Sequence, residues 1–361
     1  MIRLADIIEE FRPALEARYS AQLLPGHLKA LDAIQRCRTE ESGTASVHCH
    51  DCEIQDTFSL SCGHRFCPQC QHAAGELWIE RQRSKLLPCD YFLITITLPK
   101  QLRPLVYDHQ QVAYDQLIKL TWETLSEFGL NDKKLKGKLG AMIVLHTHSR
   151  ALSFHPHVHV VIPAGAIDTH IKVWRPKKGK FLFDEKNLAK VFRGKWFQMM
   201  KEQGWKVKAT LPKEWIVDCR RVGNGDKALT YLGRYLYRGV IREKDILACE
   251  NGKVTFQYTK NDGTIKTRKL EGVDFLRLLL RHVLPKGFRR SRDYGFLHGN
   301  NKRIIHLLHL IFKICIPQPK KRSSLRCKHC GGKVTVAVKP NHKKHKPPSP
   351  QTLLNMGMPM Q

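Results

Sequence analysis

The 361-residue sequence predicts an α+β fold in which an antiparallel sheet carries helices and is preceded by a small module of a different kind. Three observations support this. Strand-like and helix-like apolar periodicities alternate between residues 91 and 219 in the order β-α-β-β-α-β, the ferredoxin-like order. Ahead of them, Cys49-x-x-Cys52 and Cys67-x-x-Cys70 are separated by fourteen residues. That arrangement lets two knuckles offer four thiolates to one tetrahedral Zn²⁺, so a helical and zinc-ribbon-like module is expected. The run from Ser153 to Pro163 places three histidines at alternate positions of a strand that ends in valines and isoleucine.

The elements follow in chain order. Residues 4–38 have helical periodicity with a break at Pro25-Gly26, and form an N-terminal helical segment, 1–45. The cysteine-rich module occupies 46–75, and a linking helix near 76–87 leads into a domain spanning 88–300. Within it, 91–98 reads as a strand, 104–128 as a helix, 139–146 and 157–163 as strands, 185–203 as a helix and 215–219 as a strand. The histidine strand is then central in the sheet. Residues 227–238 are apolar-periodic and open after Asn224, Gly225 and Asp226, which suit an N-cap, so a helix follows the last strand. A hairpin, 253–258 and 264–270 around Asn261-Asp262-Gly263, extends the domain. Residues 304–312 read as a short packed helix inside a basic tail, 301–361. No internal repeat is present.

A single histidine on an apolar strand usually packs as a satisfied core residue. His155, His157 and His159 side by side would instead strand several ring nitrogens, at roughly 1 to 3 kcal/mol each, unless a metal or an acid satisfies them. On the later helix, Tyr231 and Tyr235 share one face, and Arg234 and Arg238 form a second i,i+4 pair suited to phosphate. Tyr237 points away from both tyrosines and reads as packing.

Composition agrees with a polyanionic partner. The chain holds 62 Lys+Arg against 32 Asp+Glu, a formal +30, and such an excess points to nucleic acid. Residues 294–361 contain thirteen Lys or Arg and no acidic residue, and 343–361 reads as a solvated segment. No apolar run approaches the roughly 18 residues of a spanning helix, which argues against a membrane partner. No secretory signal opens the chain, so the thiols are expected free in a bacterial cytoplasm rather than in disulfides.

The His157-Val158-His159 element, the Tyr231-x-x-x-Tyr235 pair and the basic charge together resemble the HUH endonucleases, which cut single-stranded DNA. With the cysteine-rich module and the phrases Ser61-Cys62-Gly63-His64-Arg65-Phe66-Cys67-Pro68-Gln69-Cys70 and Leu284-Pro285-Lys286-Gly287-Phe288, the chain is similar to rolling-circle transposases of the insertion sequence ninety-one family, from about residue 5 to residue 300. The resemblance implies a ferredoxin-like HUH nuclease domain and a tyrosine that attacks DNA phosphorus to leave a 5′-phosphotyrosine. It also implies Mg²⁺ or Mn²⁺ held by His157, His159 and a third ligand. His146, at the end of the neighbouring strand, is the first choice for that ligand, with His155 and His148 as alternatives. His155, Arg220 and Arg221 join Arg234 and Arg238 as candidate DNA contacts. No ATP is needed, and no GxxxxGK[ST] occurs.

The resemblance makes the cysteine module a zinc-binding DNA-recognition domain. Cys62, His48, His50 and His64 crowd the same segment, with Cys62 the alternative ligand to Cys49, Cys52, Cys67 and Cys70. Cys327-x-x-Cys330 is half of another knuckle, which His342 and His345 could complete. Cys37, Cys89, Cys219, Cys249 and Cys315 are scattered singly and read as small buried apolar groups. Three functions compete: a transposase acting on the ends of its element, a plasmid replication initiator or relaxase using the same chemistry, and a zinc-containing DNA-binding protein without catalysis. The zinc module and the absence of a helicase motif favour the first.

Overall fold

Residues 4–36 form two helices, α1 (Leu4–Tyr19) and α2 (Pro25–Arg36), with Pro25 at the first helical position, where its missing N–H costs nothing. The computed structural model describes residues 1–237, 240–260, 262–314 and 325–339, and the side chains of His72, Ala73, Arg234, Tyr235 and Tyr237 lie outside the description. The segment 343–361 also lies outside it.

Next come β1 (Thr44–Cys49), β2 (Gln55–Ser59), α3 (His72–Arg83), β3 (Tyr91–Thr97), α4 (Arg103–Asp108) and α5 (Gln110–Asn131). They are followed by β4 (Gly140–His148), β5 (Phe154–Pro163), β6 (Gly165–Asp168), β7 (Val173–Pro176), α6 (Glu185–Glu202), β8 (Ile216–Arg221) and α7 (Asp226–Tyr237). The last elements are β9 (Ile246–Glu250), β10 (Lys253–Thr259), β11 (Ile265–Glu271), α8 (Gly272–Leu280), β12 (Ser291–Gly295), α9 (Lys302–Ile311) and β13 (Val334–Lys339).

The chain divides into two units. One contains Met1–Leu77, Tyr237–Val283 and the described residues of Gln318–Gln361; the other contains Trp78–Leu236 and Leu284–Pro317.

The second unit is built on a five-stranded sheet in the order β12-β4-β5-β3-β8, with every neighbouring pair antiparallel. It follows that β3 and β4 run parallel with β5 between them, and β5 and β8 run parallel with β3 between them. These are two interlocked split β-α-β units, the order expected from the periodicities, with β5 central. β12 is an addition to that plan. One face of the sheet carries Ile94, Ile96, Ile143, Leu145, Val158 and Val160 against the buried faces of α5 and α6, where Tyr114, Leu117, Phe192 and Trp196 lie. Strand alternation sends His146, His157 and His159 to the other face. The helix expected over 104–128 is two helices, broken at His109 (φ −120°, ψ 38°), whose ring stacks on Trp205.

In the first unit, Ile7, Ile8, Phe11 and Leu15 of α1 are buried, as are Leu31 and Ile34 of α2. Gly272 opens α8 with no room for a side chain: a Cβ would stand 2.4 Å from the Phe11 ring. β9, β10 and β11 form one antiparallel sheet, and β13, β1 and β2 another.

Two domain assignments change as a result. The hairpin of β10 and β11 belongs to the first unit rather than to a continuous 88–300 domain, and β13 of the expected tail pairs along β1. Sequence distance hides both, because α8, which follows the hairpin, packs on α1, and β13 pairs with β1, each across most of the chain. Among the described residues, no helix is long and apolar enough to cross a membrane.

Candidate active site and cysteine clusters

β5 carries Pro156, which cannot donate to a ladder, although the strand is central. A bulge accommodates it: His146 pairs with His157 and His148 with Phe154, so His155 and Pro156 together face Thr147 alone. Beyond the bulge the ladder is regular, and His157 and His159 rise on the same face as His146. One ligand atom from each of the three imidazoles lies within 4.8 Å of the others. The ring centroids are 4.3 Å apart for His146 and His159, 5.0 Å for His157 and His159, and 5.1 Å for His146 and His157.

The surroundings fix each ring. Nδ1–H of His157 donates to the carbonyl oxygen of His155 at 2.6 Å, which leaves its Nε2 lone pair for a cation. Nδ1 of His159 pairs with Oγ1 of Thr95 at 2.9 Å. Burial holds all three imidazoles below their ordinary range, His157 to about 3, His159 to about 4 and His146 well below it; neighbouring imidazoles and Arg290 add to the effect at His146 and His157, while at His159 Asp218 opposes it and Arg220 adds to it. Neutral rings with inward lone pairs are a fit donor set for a divalent ion.

Of the alternatives for a third ligand, the structure brings in neither. His155 has its Nδ1 against a terminal nitrogen of Arg103 at 2.5 Å, and His148 lies across the bulge, outside the group of three. Arg220 and Arg221 are exposed on β8 and ion-paired, to Asp218 at 2.7 Å and Asp90 at 2.5 Å.

α7 presents the tyrosine. Its start is an Asx turn in which the Asp226 N–H donates to Oδ1 of Asn224, after Gly225 (φ +80°), whose absent Cβ makes room for the Tyr91 ring. Arg83 of α3 clamps that start, donating to both carboxylate oxygens of Asp226 at 2.6 and 3.2 Å and to Oγ1 of Thr230 at 3.2 Å. Gly233 lets α7 approach α3 closely, because a Cβ there would meet Cγ1 of Ile79 at 2.2 Å. Held this way, the Tyr231 ring stands perpendicular to His159, centroids 6.3 Å apart, and the residue is 45% exposed. Tyr235 lies one turn later on α7. Its side chain and those of Arg234 and Tyr237, with all of Arg238, lie outside the described residues.

Arg290 escaped the sequence reading. It enters the site through β12: its Nε donates to the Leu145 carbonyl beside His146 at 3.0 Å, and a terminal nitrogen donates to the Leu236 carbonyl in the last turn of α7 at 3.3 Å. One side chain thus ties β4, which carries His146, to α7, which carries Tyr231.

The cysteines regroup. Cys49, Cys52, Cys67 and Cys70 do not form one site. The ligand atoms of Cys37, Cys62, Cys67 and Cys70 lie within 4.8 Å of one another, and so do those of Cys49, Cys52, Cys327 and Cys330. Cys37, read as an isolated apolar group, follows α2 and completes the first cluster, and Cys62 is a member beside Cys67 and Cys70 rather than a substitute for one of them. Cys327 and Cys330 meet Cys49 and Cys52, whereas His342 and His345 lie outside the described residues. The reason is the β1–β13 ladder, which no local spacing reveals. His48, His50 and His64 belong to neither cluster. No disulfide occurs among the described residues.

Comparison with known proteins agrees with both parts of the chain. Residues 140–304 match the family described as “Putative transposase”, and residues 7–98 match the family described as “Transposase zinc-binding domain”. The chain is 30% identical over 324 residues to “Putative transposase y4qJ” of Sinorhizobium fredii, covering 83% of this chain and 81% of that protein. It is 27% identical over 295 residues to the transposase for insertion sequence element IS801 of Pseudomonas savastanoi pv. phaseolicola, covering 72% and 68%. No solved structure matches.

Proposed function

The chain belongs to the insertion sequence ninety-one family of transposases, and from that premise we propose that it cuts and rejoins single-stranded DNA through a 5′-phosphotyrosine, driving rolling-circle transposition of its element. One observation carries the reading: a triad of neutral imidazoles, His146 and His157 buried and His159 half-buried, with the Tyr231 ring 6.3 Å from His159.

In this reading the Tyr231 hydroxyl oxygen attacks the scissile phosphorus. The Oη–P bond forms as the P–O3′ bond breaks, the phenol gives up its proton, and the departing 3′ oxygen takes one up. The phosphotyrosine conserves the bond energy, so the reverse attack by a 3′ hydroxyl rejoins the strand without ATP. Tyr235, one helical turn away, serves as the second nucleophile, so one tyrosine can hold a first 5′ end while the other attacks a second junction.

His146, His157 and His159 would hold the divalent ion, Mg²⁺ or Mn²⁺, which supplies Lewis-acid stabilisation of charge on the phosphate. An all-imidazole donor set suits Mn²⁺ better than Mg²⁺. The Arg290 guanidinium places further positive charge at the same edge. Its two carbonyl contacts keep the spacing between β4 and α7, on which alignment of nucleophile and phosphate depends.

Cys37, Cys62, Cys67 and Cys70 hold a structural zinc in the module that recognises the element's ends, and reduced thiols together with a DNA substrate suit a bacterial cytoplasm, at the nucleoid. Incubation with labelled single-stranded oligonucleotides from the element's ends tests the reading. Cleavage and rejoining that require Mn²⁺ or Mg²⁺, and that stop when Tyr231→Phe is combined with Tyr235→Phe, are expected. Metal-dependent cleavage that survives the double substitution would show that a water, not a tyrosine, attacks.

A further inference from the structure

We propose that Cys49, Cys52, Cys327 and Cys330 bind a second zinc ion that closes the C-terminal strand onto the N-terminal module. Neither matched family spans this group, since one ends at residue 98 and the other at residue 304.

The two halves of the site are built alike. In the first, the Cys49 N–H donates to the carbonyl oxygen of Ile54, and the residue after the second cysteine, Glu53, is left-handed (φ +56°). In the second, the Cys327 N–H donates to the carbonyl oxygen of Gly332, and the residue after the second cysteine, Gly331, is left-handed (φ +75°). Each first sulfur also accepts an N–H from the residue two further on, Asp51 to Cys49 and His329 to Cys327, both at 3.4 Å. A non-glycine residue in the left-handed region costs about 1 kcal/mol or more, and Glu53 adopts it to close the turn that Gly331 closes in the other half.

What both turns present is sulfur. Sγ of Cys49 lies 3.5 Å from Sγ of Cys330, and Sγ of Cys52 lies 3.6 Å from Sγ of Cys327. The edge of a tetrahedron with Zn–S of about 2.3 Å is about 3.8 Å, whereas a disulfide needs about 2.05 Å. Backbone N–H groups aimed at sulfur favour the thiolate form, the state that binds metal. Four thiolates with no oxygen or nitrogen donor select a soft tetrahedral ion, and zinc is the redox-inert one.

The ion would bridge residues 275 and 281 positions apart in the chain. Such a link removes much of the entropy of the unlinked ends, so zinc binding here is folding free energy for the β13-β1-β2 sheet. The site can form only after the C-terminal cysteines have been synthesised, so a C-terminally truncated chain would keep the Cys37 cluster and lose this one.

Two measurements on the full chain test the proposal. Zinc content by elemental analysis should fall by one equivalent in Cys327→Ser/Cys330→Ser and by the same equivalent in Cys49→Ser/Cys52→Ser, with no further loss when the four substitutions are combined. Unchanged zinc in either pair, or iron in its place, overturns it. In the unsubstituted protein, Cys330 is exposed yet should resist alkylation by N-ethylmaleimide until chelator is added, when Cys49, Cys52, Cys327 and Cys330 become reactive together. Rapid labelling of Cys330 before chelation, or protection released by a reductant rather than a chelator, overturns it as well.

Discussion

His146 and His157 face each other across the β4–β5 ladder, immediately beyond the bulge that accommodates Pro156, and their rings lie 5.1 Å apart. That register makes the three-imidazole group. A one-residue slip would turn every histidine of β5 to the core face.

In the proposed reading His146 is a ligand positioned by the sheet itself. His146→Ala should weaken Mn²⁺ binding and lower the cleavage rate by about 100-fold or more, with DNA binding retained. Calorimetric titration of Mn²⁺ alongside a cleavage assay checks this. His155→Ala, which breaks a contact with Arg103 rather than the triad, should leave the Mn²⁺ affinity within a few-fold of the parent, and equal losses in both variants would count against the assignment.

Arg290 separates position from ligation. Arg290→Met should slow cleavage by roughly 10- to 100-fold, because the α7 carbonyl and the β4 carbonyl lose their shared donor. Its charge repels cations, so Mn²⁺ affinity in the same variant should hold or rise. A fall in metal affinity would show that Arg290 supports the ligands rather than the nucleophile.

Gly233 is where α7 meets α3. Gly233→Ala places a Cβ 2.2 Å from Ile79, and overpacking of this kind costs about 1–3 kcal/mol. Urea denaturation should register that loss, and combining Gly233→Ala with Ile79→Ala, which removes Cγ1, should cost less than the sum of the two single substitutions. Independent, additive losses from the two substitutions would contradict the contact.

The triad also gives a signed pH dependence. The folded values of His157, about 3, and His159, about 4, lie below the unfolded value of about 6.5. The stability these neutral rings contribute is complete above pH 6.5 and is lost as pH falls toward 4 and 3. The melting temperature of protein depleted of the triad's metal should therefore drop more steeply below pH 6.5 than that of His157→Asn. Parallel curves would remove the titration from the account.

The order of β3 to β8 is legible in the sequence because its information is local. Strand and helix periods give β-α-β-β-α-β, and alternation alone aligns His157 with His159. His146 follows from the antiparallel pairing of β4 with β5. Long-range pairings were not legible. β13 joins β1 only through a ladder closed across most of the chain, so Cys327 and Cys330 looked unfinished and Cys49 and Cys52 were assigned to the wrong partners. Cys37 looked like an isolated apolar residue, because nothing near it in sequence signals Cys62 or Cys67. Arg290 was one arginine among many in a basic chain, and its role depends on β12 extending a sheet that was already complete as a pattern.

The most direct measurement is mass-spectrometric mapping of the covalent adduct formed when the full-length protein is incubated with a single-stranded oligonucleotide from the element's end and Mn²⁺. A DNA 5′ phosphate on Tyr231 or Tyr235 is expected, and it should be absent when EDTA is present from the start. Tight DNA binding with no adduct, or an adduct on a residue outside α7, would contradict it.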